Sequence, residues 1–63
     1  MAERLIKYYN YIREVSGYEG KIDLAIATKI PSTKAAFEPD SDENITRFKE
    51  AIKKITGFDA PNF

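Results

Sequence analysis

Sixty-three residues without cysteine or histidine make one small domain and exclude disulfides, thiol chemistry, Cys/His zinc sites and any histidine-based triad. Ten basic residues balance ten acidic ones, so no overall field draws the chain to nucleic acid or to a membrane. An apolar share of 43% against 32% charged fits a soluble globular domain, and no apolar run has the length of a secretion signal or a membrane span, so a cytoplasmic location is expected.

The first element is a helix over 3–16. Leu5, Tyr8, Ile12 and Val15 fall at spacings of three, four and three, which places them on one helical stripe. Ser16-Gly17-Tyr18 comes next. Glycine just past a helix end takes the left-handed conformation at little steric cost, and Tyr18 is expected to fold back on Ile12.

Residues 20–38 permit two readings. As a strand, Ile22, Leu24, Ile26, Thr28 and Ile30 alternate with Asp23, Ala25, Ala27 and Lys29. As a helix, Ile22, Ala25 and Ile26 share one side, and the alanines favour helix. A lone strand has no ladder, and no second strand is evident. Helix is therefore the reading adopted for 21–30, with a strand-swapped dimer as the alternative. Pro31 breaks the segment and suits the first turn of a short helix over 31–37, which Pro39 closes.

Leu24-Ala25, a turn at Lys29, apolar Ile30 and small Ala35 fit the packing pattern of a helix-turn-helix. The stretch DLAIATKIPSTKAA resembles the core of a bacterial repressor motif, with Lys29 at the usual turn glycine and Glu38-Pro39 where an apolar residue is expected. The resemblance implies that Ser32, Thr33 and Lys34 would face DNA.

Asp40 and Glu43 have capping-box spacing before a second long helix over 41–56. Asp42 and Glu43 in its first turn and Lys53 and Lys54 in its last suit the helix dipole. The acidic run opens like a calcium loop but has Ile45 and Ala51 where that loop needs Gly and Glu, so it is read as a helix start. Asn44-Ile45-Thr46 matches the glycosylation triplet but lies inside the helix, and is read as accidental.

This helix echoes the first. Ile45, Phe48, Ile52 and Ile55 pair with Leu5, Tyr8, Ile12 and Val15, and Thr56-Gly57-Phe58 pairs with Ser16-Gly17-Tyr18. The echo is read as two separately optimised helices sharing one ending rather than a duplicated unit.

The fold expected is all-α: a single domain over 1–63 of three to four helices, with two long capped helices flanking a broken helical segment. No phosphate loop, metal cluster or catalytic constellation is present, so no enzyme activity, cofactor or metal is expected. Tyr9, Tyr11 and Phe37 are surplus to the stripes and are the candidate interface for a protein partner or for self-association in a regulatory module. The alternative is a DNA-binding regulator reading through Ser32, Thr33 and Lys34. No membrane partner is expected.

Overall fold

The computed structural model describes residues 3–63, so the first two residues of the expected 1–63 domain lie outside the described residues. Three helices run in order: α1 (Glu3–Thr28), α2 (Ser32–Ala35) and α3 (Asp42–Thr56), with no strand among the described residues. The all-α expectation holds. The strand alternative for 21–30 gives way to helix as far as Thr28.

At 1.5 Å per residue, a straight helix of α1's length would span about 39 Å. The longest dimension of the molecule is 26 Å. The helix bends at Gly17, whose φ of 69° and ψ of −161° lie in a region open in practice only to glycine. Gly17 was expected to end the first helix as a left-handed cap. Instead it joins two helical arms, 3–16 and 18–28. Gly20 lets the second arm press on the first. A Cβ there would stand 3.3 Å from Ile12 Cγ1 and inside van der Waals distance of Ser16 Cβ.

The two stripes meet as the spacing predicts. Leu5, Tyr8 and Ile12 are buried with Ile45, Phe48 and Ile52, joined by Tyr9, Leu24, Ile30, Ala35 and Ala51. Tyr9 sets its ring edge-on to Phe48 at 5.5 Å and 83°. Val15 is a correction: it is half exposed, because the chain leaves the first arm's line at the Gly17 corner two residues later. Tyr18 and Phe58 are corrections too, since both are exposed rather than folded back. Tyr18 projects from the continuing second arm, and Phe58 begins a tail that turns away from α3.

The cap of α3 is Ser41, not Asp40. Ser41 Oγ accepts the Asn44 N–H at 3.2 Å. Asp40 serves the other long helix. Its two carboxylate oxygens accept the Arg4 and Leu5 N–H groups at 3.1 and 3.2 Å. These are unpaired donors of the α1 start, where a carboxylate is also favoured by the dipole. Gly57 closes α3 as expected, with φ of 81° and its N–H on the Lys53 carbonyl at 2.8 Å. The tail then returns over α1. Tyr8 donates its hydroxyl to the Pro61 carbonyl at 2.8 Å, Arg4 Nε donates to the Phe63 carbonyl, and the Phe63 ring meets Tyr8 at 5.0 Å.

Candidate functional site

The three aromatic candidates do not form one surface. Tyr9 is in the core, and its hydroxyl donates to the Ile30 carbonyl. It is a correction to the expected interface, because its ring is needed to close the core over the 28–30 turn. Burial pushes its phenol above the usual tyrosine value, and a hydrogen bond with Thr28 partly offsets this. Tyr11 is half-buried under the tail, 6.1 Å from Phe63. Phe37 alone stands free, at 87% exposure.

The turn expected at Lys29 is present. Lys29 has φ of 61° and donates its N–H to the Ala25 carbonyl at 2.9 Å. Leu24, Ile30 and Ala35 are buried around it, and Ala25 is partly buried. The helix after the turn is shorter than the expected 31–37: α2 is a single turn behind Pro31 as its N-cap. Thr33 and Lys34 are exposed and Ser32 is half-buried. A helix of four residues rises about 6 Å, which presents one turn to a groove.

The second arm of α1 has two opposite stripes, each spaced by four. Gly20, Leu24 and Thr28 face inward. Tyr18, Ile22 and Ile26 are exposed at 70%, 45% and 71%. Exposed Glu19 and Asp23 run along one edge of the outer stripe on the helical wheel. The spacing of the outer stripe was visible in the sequence, but an apolar stripe reads as a core face. Here two of the three inward positions, either side of Leu24, are glycine and threonine, because a close crossing needs a small residue and the turn needs a hydroxyl.

A cleft of about 300 Å³ lies between the two arms of α1 and α2. Ile6, Tyr9, Ala35 and Ala36 give it an apolar wall, Asn10, Ser32 and Thr33 supply hydrogen-bonding groups, and Arg13 and Lys21 supply charge. No carboxylate is among these lining residues, and among the described residues neither cation is paired in a salt bridge. The Gly17 corner creates this arrangement by folding Lys21 of one arm toward Arg13 of the other. Sequence reading could not bring those two together without the bend.

The Asn44 amide of the glycosylation triplet is engaged inside the fold, donating to the Pro39 carbonyl at 2.9 Å. Among the described residues no helix is long and apolar enough to cross a membrane. No protein-family model matches the chain, and no curated protein or solved structure matches it significantly.

Proposed function

We propose that this chain is a non-enzymatic protein-binding module, and that it docks a partner helix on the outer stripe of the second arm. The observation that carries this is the row Tyr18-Ile22-Ile26, three large side chains exposed on one helical face of a 63-residue chain. Apolar surface of that kind, rimmed by charge, marks an interaction surface. The acidic edge of Glu19 and Asp23 gives the partner's chemistry: an amphipathic helix with an apolar stripe and basic residues beside it. A second copy docking antiparallel on the same stripe would set this acidic edge against itself. An antiparallel homodimer is therefore disfavoured, and the partner is read as a different protein with a basic edge.

The test places a photo-reactive residue at position 18 and irradiates the protein in its own cell. The partner it captures is purified, and its binding to the wild type and to Ile26→Ser is compared. Ile26 is exposed, so this variant keeps the fold and its helical circular dichroism. Support is a loss of at least about tenfold, about 1.4 kcal/mol. Equal binding by both forms sinks the reading, and a dimer in sedimentation that Ile26→Ser dissolves assigns the stripe to a second copy.

Binding to duplex DNA is the second reading, favoured by one observation, the left-handed turn at Lys29 with Leu24, Ile30 and Ala35 packed around it. Its test is titration of a labelled duplex at low salt. It predicts affinity that falls steeply as salt rises and is lost in Lys34→Glu.

A further inference from the structure

We infer that the cleft between the two arms of α1 and α2 is a binding site for a small organic phosphate monoester. The inference is independent of the docking stripe, whose residues do not line the cleft. Charge gives the class. Arg13 and Lys21 supply two positive charges, with no carboxylate lining the cleft to neutralise them. A phosphate monoester carries about −1.5 to −2 at neutral pH and matches them, whereas a carboxylate leaves one cation unanswered. Arg13 offers the planar fork that grips phosphate oxygens in pairs, and Lys21 adds a point charge. Asn10, Ser32 and Thr33 can donate to the remaining oxygens.

Shape gives the rest of the ligand. A volume of about 300 Å³ is the lower end of the range for small-molecule sites. Ile6, Ala35 and Ala36 make part of the wall apolar, so the phosphate is expected to carry a compact apolar body. The space exists because the residues facing Tyr9 and Ile6 across the cleft are alanines. Ala35 is fully buried and fixes α2 to the core, while Ala36 is exposed at the rim.

Phenyl phosphate is the probe, titrated into the ¹⁵N-labelled full chain and tracked by amide shifts. Saturable shifts confined to Asn10, Arg13, Lys21, Ser32, Thr33 and Ala36 are expected. Benzoate and inorganic phosphate should each bind at least about tenfold more weakly, the first carrying a single charge against two cations and the second lacking the apolar body. Arg13→Gln should weaken phenyl phosphate by at least about tenfold, and Arg13→Lys by less. Ala36→Leu keeps both cations and fills the rim, and it should block binding as well. Neither substitution enters the core, since Arg13 and Ala36 are both exposed. No saturable shift in the wild type, or equal shifts in Arg13→Gln and Ala36→Leu, would overturn the inference. A duplex that binds with loss in Arg13→Gln, while phenyl phosphate does not bind, would overturn it in favour of nucleic-acid phosphodiester.

Discussion

The ends of α1 and α3 are built alike. At the end of α1, the Thr28 hydroxyl donates to the Leu24 carbonyl at 2.7 Å and accepts the Ile30 N–H at 3.3 Å. At the end of α3, the Thr56 hydroxyl donates to the Ile52 carbonyl at 2.8 Å and accepts the Phe58 N–H at 3.1 Å. The residue between takes positive φ in both, 61° at Lys29 and 81° at Gly57, and returns its N–H to the carbonyl four residues back. The two ends differ in what they hold. Ile30 is buried and its carbonyl is bound by Tyr9, so the first end is a corner of the core. Phe58 is 74% exposed, so the second end only releases a tail. Identical local chemistry therefore stops a helix, and tertiary packing decides whether the stop is structural.

The largest effect should separate the third residues. Ile30→Ala should cost about 2–5 kcal/mol, the range for truncating a buried isoleucine. Phe58→Ala should change stability by no more than about 0.5 kcal/mol, as at an exposed site. Urea midpoints measure both. Equal losses would break the comparison, because they would show that Phe58 is held as firmly as Ile30.

Tyr9 sharpens it next, since the α3 end has no counterpart to it. Tyr9→Phe removes the donor from the buried Ile30 carbonyl and should cost about 1–3 kcal/mol. The pH dependence has a definite sign. The folded phenol titrates above its unfolded value of about 10, so the folded state holds this proton more tightly. Its contribution is complete below about pH 10 and is lost as pH rises from there through the folded value. Denaturation midpoints taken from about pH 8 to 11 should fall more steeply in wild type than in Tyr9→Phe. Parallel curves would show that the phenol is not held by the corner.

Gly17 is the third position of positive φ, and it is where the sequence misled. The likeness of Ser16-Gly17-Tyr18 to Thr56-Gly57-Phe58 predicts the same ending. The ending that matches in space is Thr28-Lys29-Ile30. Sequence shows which residues permit positive φ, but not which ψ the packing selects. Gly17 at ψ of −161° continues the helix around a bend, while Gly57 at ψ of 0° ends one. Gly17→Ala is therefore expected to cost about 1–3 kcal/mol by thermal or urea denaturation.

The two apolar stripes, the all-helical class and the turn at Lys29 were legible because periodicity and proline placement act locally. Three features were not, because each depends on contact across the fold. Asp40 reaches back to α1 rather than forward to α3. Gly20 is buried by the crossing of two arms. The row Tyr18-Ile22-Ile26 faces out although its period is that of a core stripe. The candidate site suffered most: Tyr9 looked surplus until the turn it covers was known, and the Arg13–Lys21 cleft has no trace along the chain.

The smallest effect gives the cleanest swap. Lys29 has a side chain in a left-handed conformation that costs roughly 1–2 kcal/mol for residues with a Cβ. Lys29→Gly removes that cost and gives back roughly 0.4–1 kcal/mol through a freer unfolded chain. The net expectation is a small gain in stability, under about 1.5 kcal/mol. Gly57→Lys runs the same change in reverse and should lose a similar amount. A Cβ at Gly57 would meet nothing within 4 Å, so the loss there is backbone strain alone. The two midpoint shifts should therefore be opposite in sign and alike in size. A loss in Lys29→Gly would show that the Lys29 side chain makes a contact of its own, and that the two helix ends share hydrogen bonds but not their energetics.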